Sequence, residues 1–410
     1  MSDRQTAKKI IVIGGGPAGV FAAIAAKRTD PAAHVLLLTD EGCEPYEKPP
    51  LSKAVLTGKA LPEHALIAGP KGVAAHDVVL ERTARVSAID RGARDVIADG
   101  RRYRYDALVL TTGSLVRELP QLPLGMPRVH YLRTEADARG LSVALRACRH
   151  LVVVGGGLIG LEAAAAAAEL GIRTTVLEVA PRILSRVCDE ETAAFIAGEH
   201  RRHGVELHTA TAIVGVRGAG DTVDIETSAG AILSADAVVV GTGVKPNDAL
   251  AAAAGLQTDN GIVVDDHCRT GDPAIFAAGD AVRFPAPHGL IRLENWKHAQ
   301  DQGAVAGRNA AGANEAYRAV PSFWSEQYDL YIQGVGFSPP QPGAQIRRTL
   351  TGKSLLLFEI ADGVLIYALG VNAQRDLAAA RRLIERRIPV DPAALADPGR
   401  PLTALLKANA

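Results

Sequence analysis

Residues 9–19 read Lys9-Ile10-Ile11-Val12-Ile13-Gly14-Gly15-Gly16-Pro17-Ala18-Gly19. Residues 150–160 repeat the pattern as His150-Leu151-Val152-Val153-Val154-Gly155-Gly156-Gly157-Leu158-Ile159-Gly160. Each stretch is a short β-branched run, a glycine turn and the start of an alanine-rich helix. A further apolar run follows each helix, Val35 to Leu38 and Thr174 to Leu177. Strand, glycine turn, helix and strand in that order make a dinucleotide-binding βαβ unit. Gly14, Gly16 and Gly19 let the backbone approach a pyrophosphate, and the helix N-terminus adds N–H donors and the positive end of its dipole. Gly155, Gly157 and Gly160 carry the same physics. Two copies predict two nucleotide sites in one α/β chain.

Two later segments also echo each other. Tyr105-Asp106-Ala107-Leu108-Val109-Leu110-Thr111-Thr112-Gly113 matches Ala235-Asp236-Ala237-Val238-Val239-Val240-Gly241-Thr242-Gly243. Each reads as a buried parallel strand closing its own module. Thr112 and Gly113 are then candidate contacts to the first nucleotide and Gly243 to the second. Pro120, Pro123 and Pro127 mark a crossing between modules, and Pro246 marks the return. The expected organisation is a first nucleotide domain from residues 1–116 and 244–320, a second from 117–243, and a smaller α+β domain from 321–410. The last part concentrates aromatics (Phe323, Trp324, Tyr328, Tyr331), then strand-like runs at Ser354 to Ile360 and Gly363 to Leu369, then a helix from about Gln374 to Arg387.

Composition fits this plan. A chain of 410 residues is too long for one hydrophobic core. Basic and acidic residues balance at 45 each, which argues against nucleic acid or an anionic membrane as the main partner. The first residues show no apolar signal region, and no long uninterrupted apolar stretch predicts a membrane helix. Cys43, Cys148, Cys188 and Cys268 are scattered, with no CxxC pair. Scattered free thiols suit a reducing cytoplasm.

Acidic residues near the fingerprints suggest their partners. Asp40, or its neighbour Glu41, follows the second strand of the first unit, where a carboxylate accepts from ribose hydroxyls. Glu178 ends the equivalent strand of the second unit; a carboxylate there favours NADH and repels the 2′-phosphate of NADPH. Glu162 lies in the first turn of the second helix, either complementing the helix dipole or standing beside a nicotinamide. Ile275-Phe276-Ala277-Ala278-Gly279-Asp280 is a short apolar strand running into a carboxylate, read as a helix N-terminus at which Asp280 accepts from a ribityl chain. That assigns FAD to the first site.

With these residues in place the chain resembles the FAD-dependent ferredoxin reductases of bacterial Rieske oxygenases and cytochrome monooxygenases, a branch of the glutathione-reductase-like flavoproteins. The resemblance covers essentially the whole chain. Beyond the fingerprints it rests on Pro45-Tyr46-Glu47-Lys48-Pro49-Pro50-Leu51-Ser52-Lys53, on Ala277-Ala278-Gly279-Asp280, on Glu294-Asn295-Trp296-Lys297-His298-Ala299-Gln300 and on Pro321-Ser322-Phe323-Trp324-Ser325-Glu326-Gln327-Tyr328-Asp329-Leu330. It implies a route from NADH through FAD to a 2Fe-2S ferredoxin, with no protein nucleophile. It implies that Lys53 stabilises negative charge on the reduced flavin ring. Lys48 stands where the family usually has arginine near the FAD phosphates, so the bidentate fork is lost. Trp296 and Trp324 are the only tryptophans, and the resemblance puts both near the flavin; core packing is the alternative.

Other acceptors and chemistries share the fold. Thiol-dependent NADH oxidases, peroxidases and CoA-disulfide reductases use a cysteine beside the flavin, and only Cys43 lies in that neighbourhood, several residues before Pro49 and Pro50. Monodehydroascorbate reductases, apoptosis-inducing-factor-like proteins and rubredoxin reductases are further relatives of the pattern. Arg375, Arg382 and Arg386 fall on one stripe of the last helix. The stripe is either a solvated polar face or a landing site for an acidic ferredoxin.

Overall fold

The computed structural model of the chain describes residues 7–287, 289–338 and 344–407. Strand Lys9–Ile13 is central in a five-stranded parallel sheet ordered Ile275–Ala277, Ala107–Leu110, Lys9–Ile13, His34–Leu38, Val79–Glu81. Ile10 to Ile13 are all buried, as a central parallel strand requires. Helices Pro17–Thr29 and Trp296–Ala310 pack closely because Gly303 and Gly307 lie directly on the backbone of Ala18 and Ala22. A methyl group at either glycine would collide with a carbonyl oxygen.

The second sheet repeats the first, in the order Glu206–His208, Arg173–Leu177, His150–Val154, Ala237–Val240, Val129–Tyr131. Even the register repeats: Ile10 pairs with Ala107 as Leu151 pairs with Ala237. The two crossings lie side by side, Ser114–Val116 pairing antiparallel with Val244–Pro246. The excursion through the second sheet therefore leaves and returns at one ribbon, and strand Ile275–Ala277 then completes the first sheet. Each unit also carries a three-stranded antiparallel sheet, within residues 86–104 and 213–235, that sequence reading did not anticipate.

The last part is an antiparallel sheet ordered Ser322–Gln327, Leu330–Gly336, Val364–Val371, Leu355–Ala361, Ala344–Thr349. The two expected strands and the helix are there, the helix spanning Gln374–Glu385. The aromatic block also forms strand: a hairpin turns at Tyr328, held at φ 57°. One face of this sheet, with Leu356, Phe358 and Ala368, packs under helix Gln374–Glu385 through Leu377, Ala380 and Leu383. The other face presents Leu357, Tyr367 and Leu369 to Val187, Cys188 and Phe323. Among the described residues no helix is long and apolar enough to cross a membrane.

Candidate active site

Both glycine fingerprints open onto one cavity of about 1820 Å³. That is roughly twice the upper end of the ~300–1,000 Å³ of a single small-molecule site. Gly16 and Gly157 are the N-caps of helices Pro17–Thr29 and Leu158–Glu169, and no side chain caps either helix. Both glycines line the cavity, and the space where a Cβ would stand is open. Gly14 (φ 111°) and Gly155 (φ 110°) make the turns. Gly19 and Gly160 press on the carbonyls of Gly14 and Gly155, so a methyl group at either would collide. Two uncapped helix starts at one wall, each with free space above its glycine, fit two phosphate-bearing ligands.

Lys53 and Glu162 meet in the wall of the same cavity, Nζ to Oε2 at 2.8 Å. Glu162 is 3% exposed. Its carboxylate also accepts from Ser52 Oγ and, at 2.6 Å, from Ser325 Oγ. The dipole-complement reading of Glu162 is too small for this arrangement: the group is buried and holds a lysine. Ser52 and Ser325 were quoted as parts of longer blocks but not singled out, since nothing in their spacing signals a shared partner.

Glu178 lines the same cavity. Its oxygens accept from the N–H groups of Gly156 at 2.6 Å and Ala180 at 2.7 Å, and a carboxylate still has lone pairs to offer. Arg182 donates to the carbonyls of Cys188 at 2.7 Å and Ser185 at 3.2 Å. Arg186 and Gly243 (φ 97°) complete that wall.

Three expectations change. Gly14 N–H donates to Leu38 O as Gly155 N–H donates to Leu177 O, so the residue matching Glu178 is Thr39. Asp40 is exposed and lies outside the cavity wall. Glu41 is engaged by Lys48 Nζ at 3.1 Å and Tyr46 Oη at 2.5 Å. Asp280 does line the cavity, but a turn and strand Val282–Ala286 follow it rather than a helix. Alternating burial along Val282, Arg283 and Phe284 draws that segment into a sheet. Asp280 accepts from Ser114 Oγ at 3.0 Å and from Arg133 Nη2 at 3.4 Å. Thr112 is not in the wall; its hydroxyl donates to Asn247 O at 2.5 Å and braces the return crossing beside Gly113, which does line the cavity.

Lys48 lines the cavity, and burial pushes its ammonium below the usual value against the pull of Glu41. Trp296 and Trp324 both line it too, edge to face at 5.8 Å between ring centroids. Cys43 is not in the wall, and burial with Glu135 alongside pushes its thiol up to about 12. Cys188 is in the wall, but burial raises it to about 11. Arg375, Arg382 and Arg386 are exposed. Their helix covers the sheet face opposite the one that borders the cavity.

Residues 8–303 match the family described as pyridine nucleotide-disulphide oxidoreductase, and residues 322–406 match the family described as reductase C-terminal. Rhodocoxin reductase of Rhodococcus erythropolis is 37% identical over 95% of this chain and 92% of that protein. The ferredoxin–NAD(+) reductase component of the anthranilate 1,2-dioxygenase system of Burkholderia cepacia is 40% identical over 96% and 98%. The reductase in the crystal structure of the covalent putidaredoxin reductase–putidaredoxin complex superposes with a TM-score of 0.93 at 35% identity, over 98% of this chain and 99% of that one. Full-length likeness at this level, together with the paired fingerprints, places the chain: it belongs to the pyridine nucleotide-disulphide oxidoreductases, in the group of ferredoxin–NAD(+) reductases that serve oxygenase systems.

Proposed function

We propose that the chain is an NADH-dependent flavoprotein reductase that holds FAD at the first fingerprint and passes electrons singly to a 2Fe-2S ferredoxin feeding a Rieske-type or cytochrome monooxygenase. The observation that carries it is the Lys53–Glu162 pair, its carboxylate buried, lining the same cavity as two uncapped glycine-rich helix starts. Bound FAD supplies the conversion from hydride to single electrons. The balance is one NADH oxidised, two ferredoxins reduced and one proton released.

The chain's own residues bind and tune. Gly14, Gly16 and Gly19 with the helix behind them would hold the FAD pyrophosphate, with Lys48 adding charge and Asp280 and Gly113 completing that wall. Asp40 and Thr112 belong to the same proposed set of FAD contacts. Gly155, Gly157, Gly160 and Gly243 would hold the NADH phosphates, and Glu178 the adenosine ribose. Lys53, fixed by Glu162, would present positive charge to a flavin held here, and such preorganised charge is most effective in a water-poor site. Trp296 and Trp324, both in the cavity wall, would stand beside the flavin. Residues 1–116 and 244–320 form the FAD domain, 117–243 the NADH domain and 321–410 the domain at the acceptor side. The four free thiols suit a cytoplasmic location.

The test is NADH-driven reduction of purified ferredoxins, with rubredoxin and dichloroindophenol as comparison acceptors. Turnover with a ferredoxin at a kcat/KM well above rubredoxin supports the reading; reduction of the dye and rubredoxin alone overturns it.

A further inference from the structure

Behind the Lys53–Glu162 pair a file of polar side chains runs away from the cavity. Ser325 Oγ is 2.6 Å from Glu162 Oε1, Gln327 Nε2 is 3.1 Å from Ser325 Oγ, and His200 Nε2 is 2.9 Å from Gln327 Oε1. Tyr328 Oη then lies 3.0 Å from His200 Nδ1, and the Tyr328 ring stacks on His203 with centroids 3.7 Å apart. Ser325, Gln327 and His200 are 0%, 1% and 0% exposed, whereas His203 is at the surface. Three elements contribute: helix Leu158–Glu169, helix Glu190–Arg202 and strand Ser322–Gln327, whose alternation puts Ser325 and Gln327 on one face.

The direction of every bond follows from the carboxylate. Ionised Glu162 only accepts, so the Ser325 hydroxyl donates to it. Ser325 Oγ must then accept from the Gln327 amide N–H, which turns Gln327 Oε1 toward His200. That oxygen needs a donor, so His200 carries its proton on Nε2, and its bare Nδ1 accepts from Tyr328. Burial favours the neutral imidazole this requires, lowering His200 to about 4. A one-way chain of hydrogen bonds reinforces each member and ends on the charged group.

We propose that His200 is a positioning residue for the reaction: it orients Gln327, Gln327 orients Ser325, and the Ser325 hydroxyl fixes the Glu162 carboxylate that holds Lys53 at the cavity. The inference rests on the role of Lys53 and Glu162 given above. Loss of the far end frees Gln327 to rotate, leaves Ser325 without its donor and loosens the carboxylate, although nothing that touches a ligand has changed.

The experiment is stopped-flow reduction of the FAD-loaded protein by NADH, with 15N spectra of histidine-labelled protein as a second readout. His200→Phe and Gln327→Leu are expected to lower the limiting rate about three- to tenfold, the scale of one weakened hydrogen bond to a charged group. The Kd for NADH stays unchanged. His200→Gln, whose amide can donate from the Nε2 position, restores most of the rate. In a Ser325→Ala background His200→Phe has no further effect, because the chain is already cut. The unmodified protein shows His200 protonated on Nε2 alone. Additive losses in the double variant, unchanged rates in both single variants, or a proton on Nδ1 would overturn the proposal. Glu162→Gln separates the two levels: if it slows reduction while His200→Phe and Gln327→Leu do not, the positioning role alone fails; if Glu162→Gln has no effect, the reading of the site fails with it.

Discussion

Lys53 Nζ lies 2.8 Å from Glu162 Oε2 although 109 residues separate them in the chain. Lys53 follows the short helix Pro49–Ser52, and Glu162 sits on the helix of the second fingerprint. The contact forms only because both fingerprints face one cavity. Removing the lysine leaves the Glu162 charge buried, which costs about 3–5 kcal/mol, whereas removing both together costs much less. Lys53→Met should therefore lower stability in urea unfolding by more than the Lys53→Met/Glu162→Gln double variant does. Both should slow reduction of bound FAD by NADH at least tenfold. Equal stability losses in the single and double variants would count against a coupled pair.

How much of this arrangement was legible beforehand follows from the range of each signal. The two nucleotide folds and their shared register come from local features: β-branched runs, glycine turns and alanine-rich helices at fixed spacing. The antiparallel sheets within residues 86–104 and 213–235 have short, partly exposed strands whose pairing is set by neighbours rather than by pattern. Asp40 lies one position beyond the strand register that Glu178 holds in the second unit, because the hydrogen bond from Gly14 to Leu38 matches that from Gly155 to Leu177. Asp280 lines the cavity, but the segment after it, expected as a helix, is a strand. Ser325, Gln327 and His200 carried no signal at all, since their relation to Glu162 exists only in the folded molecule.

Thiol chemistry provides a sharp contrast. Burial raises Cys148 to about 11 and Cys43 to about 12, so neither is a thiolate near neutral pH. Cys43→Ser should retain NADH-dependent ferredoxin reduction within about twofold, as should a folded variant lacking all four cysteines. Loss of turnover in Cys43→Ser, with FAD content and melting temperature unchanged, would restore the thiol-dependent oxidase as a candidate.

Arg375, Arg382 and Arg386 stand one sheet and one helix away from the cavity. A ferredoxin seated on them would keep its cluster far from the flavin site. Their expected contribution is attraction at a distance, which salt screens over about 10 Å at 0.1 M. Charge reversal at Arg382 and Arg386 should lower kcat/KM for ferredoxin at low ionic strength and leave kcat unchanged, and the effect should vanish as salt rises. A fall in kcat that persists in high salt would instead mark the stripe as the contact surface.

Arg348 ties down the C-terminal segment. The residue is 2% exposed, and its guanidinium donates to the carbonyls of Leu395 at 2.6 Å, Ala394 at 2.9 Å and Arg400 at 3.1 Å. Arg348→Leu should destabilise the protein by about 2–3 kcal/mol through these lost charged hydrogen bonds. Proteolysis should then begin within residues 391–407, and a melting temperature equal to that of the parent would refute the latch.

Cofactor choice turns on Glu178. Its carboxylate accepts from the N–H groups of Gly156 and Ala180 in the cavity wall, and in the proposed reading it would meet the adenosine ribose there. A 2′-phosphate there would face a fixed negative charge. An NADPH enzyme needs a cation to offset it, and the nearby Arg182 is already committed to the carbonyls of Cys188 and Ser185. Arg186 lines the same wall. NADH should be preferred by about tenfold or more in kcat/KM, the equivalent of roughly 1.5–3 kcal/mol from repulsion and lost hydrogen bonds. Glu178→Ala should weaken NADH use and narrow the gap, and Glu178→Ala/Arg186→Ala should lose whatever NADPH activity the single variant gains. Equal kcat/KM for the two nucleotides in the unmodified enzyme would show that Glu178 does not read the ribose.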